Sequence, residues 1–310
     1  MDFQIEGEMQ TTSAQTPSVL SMARSSWRDY LELMQPRAIA LFVLPMLAAF
    51  LVAAGSQPQL TALLMTLTGG FLAAGGAAAL NSYYDRDLDA KMSRTRGRPL
   101  PSERLEPENA RRFGITISVI SFFTLWIGAN LLAAALALAG ILIHVIVYTR
   151  WLKRRSIHNV VVGGMAGALA PLVGWAAAAG GLSIHALLMA AIVFYWNPPY
   201  HWSLALMRLS DYSRAGLPML PVIKGSLTAR KQMAIYSAMM FVLTLLPAAL
   251  GLTEFLYAEV ALLLGGIFIL QTLQLIRQPG VQAFARVHRY SIAYLALLFS
   301  AMLLDSLILY

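Results

Sequence analysis

Three side chains with oxygen donors recur at every fourth position of one polar stretch: Asn81, Asp85 and Asp89. On an α-helix this spacing drifts by only ~40° per step, so the three would share one face over ~12 Å. Carboxylate and amide oxygens suit Mg²⁺, which usually keeps other coordination sites for water or substrate phosphates. The spacing therefore predicts a metal site on this helix, with Asp85 and Asp89 as its catalytic carboxylates.

A basic run follows the acids directly and includes Arg94 and Arg98. The planar guanidinium group matches phosphate oxygens in charge and geometry. Carboxylates followed by arginines therefore predict a site for a metal-bridged diphosphate. The alternative is a solvated loop whose acids simply pair with its arginines, as such loops often do.

Two further polar clusters are candidates for the same site. Asp211 lies in a Pro-containing stretch with Arg214 and Lys224, where it could complete a second metal site or form an ion pair. Lys153 and Arg154 directly follow an apolar segment. Basic residues commonly end a membrane span, so these two are either stop residues or further phosphate contacts.

The composition shows which elements must carry these side chains. Hydrophobic residues make up 58% of the 310 residues and charged ones only 12%, with no cysteine. This excludes a soluble globular or disordered chain, disulfides and thiolate metal sites. Apolar runs of about 20 residues are long enough to span a bilayer. The fold class predicted is an all-α polytopic membrane protein, with spans at 38–55, 60–80, 112–128, 131–149, 158–179, 184–204, 232–251, 256–276 and 288–308.

The basic residues test this arrangement. All 23 Lys and Arg fall before the first span, in alternate connections or at the span edges next to those connections, and the connections at 55–60 and 180–183 contain none. By the positive-inside rule, the N-terminus is cytoplasmic and the C-terminus is outside. Residues 1–30 are expected to form a disordered cytoplasmic tail, 31–310 the helical domain, and Trp27 to Pro36 a short amphipathic helix. A bacterial inner membrane, with lipid and no nucleic acid as a partner, is the expected setting.

At these residues the sequence resembles the UbiA superfamily of intramembrane prenyltransferases, whose hallmark is an N-x-x-x-D-x-x-x-D stretch with a second aspartate region. More narrowly, it resembles the branch that acts on heme. Four segments carry the resemblance: NSYYDRDLDAKMSRTRGRPLP (81–101), 148–177, 211–225 and 291–305.

The resemblance implies nine helices around a central cavity capped by cytoplasmic loops. It also implies transfer of a farnesyl group from farnesyl diphosphate to a vinyl group of heme b. Carried over by position, Asn81, Asp85, Asp89 and Asp211 would hold Mg²⁺ as the only cofactor. The expected contacts to substrate are Arg94, Arg98, Tyr148, Lys153, Arg154, Asn159, Arg214 and Lys224.

One segment departs from the heme branch. That branch usually reads Pro-Pro-His-Phe-Trp where this chain has Pro198-Pro199-Tyr200-His201-Trp202. The one-residue shift turns the histidine by ~100° on a helix. Either His201 acts from a shifted position or Tyr200 replaces it, and His144 is a weaker candidate for contacting heme.

Aromatic side chains on the sixth span are expected to line the pocket and to stabilise an allylic cation through cation–π attraction. They are Phe194, Tyr195, Trp196, Tyr200 and Trp202.

Three other functions compete with heme farnesylation. The first is prenyl transfer to another acceptor, such as a quinone precursor or a chlorin. The second is ion-coupled transport, although transporters usually place acids near mid-span within inverted repeats. The third is a scaffold for oxidase assembly. A heme-modifying enzyme or an oxidase assembly factor is the expected recipient of the product.

Overall fold

The structure is a computed structural model that describes residues 26–309, with side chains described as far as 306. The described chain is helical: α1 Trp27–Met34, α2 Pro36–Ala54, α3 Leu60–Lys91, α4 Pro107–Gly128, α5 Leu131–Leu142 with a π-helical continuation Ile143–Leu152, α6 Asn159–Ala179, α7 Ile184–Met207, α8 Leu209–Arg214, α9 Leu220–Ile223, α10 Gly225–Ala249, α11 Phe255–Arg277 and α12 Val281–Leu309.

The all-α polytopic fold is confirmed. Eight helices of the described chain are long and apolar enough to cross a membrane: α2, α3, α4, α5 with its continuation, α6, α10, α11 and α12. The predicted sixth span is present as α7, but Asn197, two prolines and His201 make its second half too polar to meet the same criterion. It nevertheless runs back along α6, because it begins just after α6 ends and is followed by Pro218, whose carbonyl contacts Asn159 at the start of α6. We therefore count α7 as the ninth span on the basis of its position beside α6 and not of its hydropathy.

The apolar stretch from 112 to 149 is broken where the turn signal predicted it. α4 ends at Gly128, and α5 begins at Leu131. The side chain of Asn130 accepts a hydrogen bond from Ala133 N at 2.9 Å and donates to the Ala176 carbonyl at 2.6 Å. Asn130 thus caps α5 and ties the turn to the end of α6.

α3 is the helix that positions the first polar cluster. It continues without a break from Leu60 to Lys91, about 16 Å beyond the predicted end of its span at residue 80. Its glycines allow close packing: a Cβ at Gly69 would meet Leu125, and one at Gly76 would meet Ser118, both on α4. The opposite side of α3 is therefore free to line a cavity.

The N-terminal region is tied to the loop that follows α3. Ser26 caps α1, so the predicted amphipathic helix is present and includes the last residues of the predicted tail. Arg104 pairs with Asp29, and with Glu32 at 2.8 Å. The rest of the predicted tail, residues 1–25, lies outside the described residues.

Candidate active site

The predicted face of α3 is formed as the spacing requires. Asn81 Nδ2 donates to Asp85 Oδ2 at 2.8 Å and to Thr149 Oγ1 at 2.9 Å. Asp85 and Asp89 are 1% and 3% exposed. Asp87, between them, faces away and binds Arg154 through both guanidinium nitrogens, at 2.8 and 2.7 Å. The i, i+4, i+8 pattern therefore separates the buried acids from the exposed one.

Each of the three candidate metal-binding carboxylates already has a partner. Asp85 forms an ion pair with Lys153. Asp89 binds Arg98 at 2.8 Å. Asp211 accepts a hydrogen bond from Ser93 Oγ at 2.6 Å, which, against the effect of burial, lowers the pKa of this carboxyl group.

A π-helical segment, Ile143–Leu152, positions Tyr148 and Lys153. The Lys153 amide donates to the Tyr148 carbonyl at 2.8 Å, five residues back. In an α-helix, a separation of five residues would turn the two side chains ~140° apart. Here the Lys153 amine lies 5.6 Å from the Tyr148 ring centroid. Burial favours the neutral amine, but the charge of Asp85 and its hydrogen bond to the amine outweigh burial and raise the pKa of Lys153. Such π-helical insertions are frequent at functional sites.

These groups surround the mouth of one cavity of about 380 Å³ between α2, α3, α5, α6 and α7. Asn81, Asp89, Arg94, Arg98 and Lys153 line its polar end. Below them the lining is mostly apolar and includes Ile141, Leu169 and Val173. A charged head bound at the mouth could therefore extend an apolar tail into the interior of the protein.

The predicted substrate contacts divide into two groups. Arg94, Arg98, Tyr148 and Lys153 line the cavity. Four others lie outside its lining: Arg154, Asn159, Arg214 and Lys224. Of the acids, Asp89 lines the cavity, whereas Asp85 and Asp211 lie behind the lining residues.

The four residues outside the lining have other environments. Arg154 is held by Asp87 and by the Tyr84 carbonyl at 2.7 Å. Asn159 is buried and donates to the Ser156 carbonyl at 2.7 Å. Arg214 is mostly exposed, 3.5 Å from Asp211. Lys224 is exposed.

Tyr200 and His201 both line the cavity, so the shifted histidine still reaches it. Tyr200 stacks between Trp196 and His288, with ring centroids 4.7 Å away on each side. His201 Nδ1 lies 3.2 Å from the Asn197 carbonyl. His144 lines the cavity as well, next to Tyr148.

Most of the aromatic residues predicted to line the pocket do not line it. Among the five aromatic residues assigned to it, only Tyr200 lines the cavity. Trp196 is fully buried and donates its indole N–H to the Ser291 carbonyl on α12 at 2.7 Å, while Trp202 packs against Tyr236 of α10. Consecutive residues of a helix point in different directions, so five neighbours cannot face one cavity. Tyr148, from another helix, joins Tyr200 in the lining.

The oxygen atoms of Asn81, Asp85, Asp89 and Asp211 are of the type that a hard cation binds, although these side chains are not arranged as a metal site. No group of three His, Cys, Asp or Glu side chains that could hold a metal occurs in the part of the chain that the structure describes. Asp85 Oδ1 is nevertheless buried without a hydrogen-bond partner, and carboxylate oxygens are the ligands that Mg²⁺ prefers. A metal would compete with Lys153 and Arg98 for the oxygens of Asp85 and Asp89.

Sequence reasoning missed several neighbours of these groups. Gln35 accepts from Arg98 at 3.3 Å, and Ser93 holds Asp211. Gln35 has φ 56°, a left-handed conformation that is unusual for a residue other than glycine. Asn197 and Tyr212 also line the cavity. Uncharged side chains gave no signal, because their roles depend on segments distant in sequence.

Solved structures show the same fold. A digeranylgeranylglyceryl phosphate synthase matches with a TM-score of 0.76 at 16% identity, covering 91% of this chain and 98% of that one. A UbiA homolog from Archaeoglobus fulgidus, bound to DMAPP and Mg²⁺, matches with a TM-score of 0.66 at 20% identity, covering 88% and 99%. Identities this low support similarity of fold alone.

Sequence relatives are much closer. A protoheme IX farnesyltransferase from Roseiflexus sp. (strain RS-1) is 44% identical over 281 residues, which are 91% of this chain and 53% of that protein. The chain thus spans about half the length of this relative. One from Symbiobacterium thermophilum is 45% identical and is covered to 94% of its length, with 90% of this chain aligned. The sequence model of the UbiA prenyltransferase family matches residues 42–303, and the chain belongs to this family.

Proposed function

We propose that the protein transfers a farnesyl group from farnesyl diphosphate to a vinyl group of heme b, giving heme O. The observation that supports prenyl transfer is the cavity, whose mouth is lined by acidic and basic side chains and whose interior is apolar. A prenyl diphosphate has the same division between a charged head and an apolar tail. Relatives named protoheme IX farnesyltransferase, at 44 and 45% identity, support heme as the acceptor.

The basic residues of the mouth bind the diphosphate in this proposal. Arg94 lines the cavity and forms no ion pair with an acid of the described chain, so its guanidinium group is available to phosphate oxygens. Lys153 and Arg98 line the same mouth, and their acid partners lie on α3. As the allylic C–O bond breaks, negative charge accumulates on the leaving diphosphate. Cations that bind the expelled group more strongly than the ester lower this barrier.

Asn81, Asp85, Asp89 and Asp211 would hold Mg²⁺, which when bound supplies further charge stabilisation to the leaving diphosphate. The structure of the Archaeoglobus homolog bound to DMAPP and Mg²⁺ supports this choice of metal. The ion pair of Lys153 with Asp85 then has a second role, since it holds both groups at the mouth before substrate arrives.

The remaining steps take place below the mouth. The allylic cation is shielded from water by the apolar lining, with the rings of Tyr148 and Tyr200 as its electron-rich neighbours. The π-electrons of a heme vinyl group attack C1 of the farnesyl cation. Water then adds to the resulting cation on the porphyrin side and loses a proton, which gives the hydroxyethylfarnesyl substituent. His201 and Tyr200 are the cavity residues we assign to the heme side.

The protein is an integral membrane protein, and we place it in a bacterial inner membrane with the N-terminus in the cytoplasm. The mouth of the cavity then opens towards the cytoplasmic supply of diphosphate. A heme-modifying enzyme or an oxidase assembly factor as recipient of the product stays a prediction.

The direct test is to incubate purified protein with heme b, farnesyl diphosphate and Mg²⁺ and to analyse the heme by mass spectrometry. We expect the mass to increase by one farnesyl group plus one hydroxyl group. Asp89→Asn should abolish this product while leaving the protein folded. Unmodified heme, with prenylation of a hydroxybenzoate instead, would show that the acceptor is wrong but that the protein is a prenyltransferase.

A further inference from the structure

The lining residues farthest from the mouth of the cavity come from four helices. α2 and α6 run inward from the mouth, whereas α3 and α5 run towards it. On each helix the lining residue farthest from the mouth is therefore Met46 (α2), Gly70 (α3), Leu136 (α5) or Val173 (α6). We call these four residues the floor.

The floor is closed by solid packing. Met46 and Val173 belong to one buried cluster with Phe50 and Leu125, and Phe50 lies one helical turn beyond Met46. Phe50 and Leu125 are essentially inaccessible to solvent. A tail that reaches the floor can therefore extend no further without displacing buried side chains, which is costly in a well-packed core.

The depth of the cavity corresponds to a particular chain length. Eleven residues of α3 separate Asn81 at the mouth from Gly70 at the floor, a rise of about 16 Å. The main chain of a farnesyl group contains eleven carbon–carbon bonds of about 1.5 Å, which span ~14 Å when the zigzag is allowed for. Each additional isoprene unit adds about 5 Å on the same basis. Three units fit above the floor, and a fourth does not.

The contact between Met46 and Gly70 sets the position of the floor. A Cβ at Gly70 would collide with the sulfur and the terminal methyl group of Met46, so this side chain occupies the notch that the glycine leaves. The thioether is the flexible end of an unbranched side chain and can move. Nearer the mouth, α3 lines the cavity with Ala73 and Ala77. Because these side chains are small, the cavity stays wide enough there for a branched chain.

From this geometry we infer that Met46 and Gly70 are specificity-determining residues, which make the cavity select a prenyl donor of three isoprene units. The inference rests on the proposed prenyl transfer and names its donor by length. Met46→Ala deletes the side chain that fills the space beside Gly70, which deepens the floor, and should admit a four-unit donor. Gly70→Ala pushes the Met46 side chain up into the cavity and should favour a two-unit donor.

The test is competition among geranyl, farnesyl and geranylgeranyl diphosphates at equal concentration, with the purified full-length protein, heme b and Mg²⁺. We expect Met46→Ala to raise the ratio of geranylgeranyl to farnesyl product by about tenfold or more, the range that a misfit of a few methylene groups can produce. Gly70→Ala should raise the geranyl to farnesyl ratio. Met240→Ala is the matched control, because Met240 is fully buried in α10 and does not line the cavity. It should leave both ratios unchanged.

A binding measurement separates this inference from the choice of acceptor. Without heme, the thermal stabilisation of each variant by non-hydrolysable thiolodiphosphates of the three lengths reports the fit of the tail alone. If no donor modifies heme but Met46→Ala still shifts the preference towards the longer analogue, the floor is confirmed and heme is the wrong acceptor. Equal use and equal binding of all three lengths by the wild type, Met46→Ala and Gly70→Ala would show that the floor does not select.

Discussion

Lys153, which directly follows the π-helical continuation of α5, binds Asp85 on the polar extension of α3. The pair is shielded from solvent, with side chains 15% and 1% exposed. Lys153 reaches the mouth because the residues before it are π-helical, which places its amine over Tyr148. One ion pair thus joins the two polar segments that the proposed chemistry needs.

Loss of Lys153 should affect both stability and turnover. Lys153→Met leaves the buried Asp85 carboxylate without its hydrogen-bonded cation and with only Arg154, whose Nη2 lies 3.8 Å from Asp85 Oδ1. Removal of one partner of a buried pair typically costs ~3 kcal/mol or more. We expect a lower unfolding temperature in detergent and little product. The double variant Lys153→Met/Asp85→Asn should recover most of the stability but none of the activity. Unchanged stability in Lys153→Met would show that the pair is not formed.

Arg94 should contribute to the binding of farnesyl diphosphate and not to the stability of the protein. It lines the cavity without an acid partner in the described chain, so Arg94→Gln should leave the unfolding temperature unchanged. A charge-assisted hydrogen bond to phosphate is worth ~2 kcal/mol, so KM for farnesyl diphosphate should rise at least about tenfold. Arg96→Gln is the control, since Arg96 is exposed on the same loop and does not line the cavity. Equal effects of the two variants would contradict a specific contact.

Metal dependence should involve Asp211. Chelation of divalent ions should stop turnover, and addition of Mg²⁺ should restore it. Asp211→Asn should raise the Mg²⁺ concentration needed for half-maximal rate, because it removes a negative charge from the proposed ligand set. Ser93→Ala removes only the hydrogen bond to Asp211 and should have a smaller effect in the same titration. Identical Mg²⁺ curves for the wild type and Asp211→Asn would exclude Asp211 as a ligand.

The orientation can be tested with single cysteines, because the chain has none of its own. Ser56→Cys lies between α2 and α3, and Arg155→Cys lies between α5 and α6, and both positions are exposed. In intact cells, a membrane-impermeant maleimide should label Ser56→Cys and leave Arg155→Cys unlabelled until the membrane is permeabilised. The reverse pattern would show that the mouth faces outward.

Much of the site followed from local spacing. Asn81, Asp85 and Asp89 share one side of α3 because a helix returns to nearly the same direction every four residues, and Asp87 faces away for the same reason. The break at Gly128 and Asn130 was also local, since the asparagine caps the next helix with its own side chain. The lengths of the apolar runs predicted the order of the spans, including α7, whose polar residues lower its mean hydropathy.

The tertiary structure decided which partner each group meets. Arg154 was expected at the diphosphate, but the structure pairs it with Asp87, while Ser93 and Gln35, which no charge pattern marked, hold Asp211 and Arg98. The π-helical segment that aligns Tyr148 with Lys153 and the contact of Met46 with Gly70 at the floor were equally unforeseen. Sequence spacing sets the direction of a side chain relative to its own helix. What lies in that direction depends on how helices distant in sequence pack, and packing is a property of the whole fold.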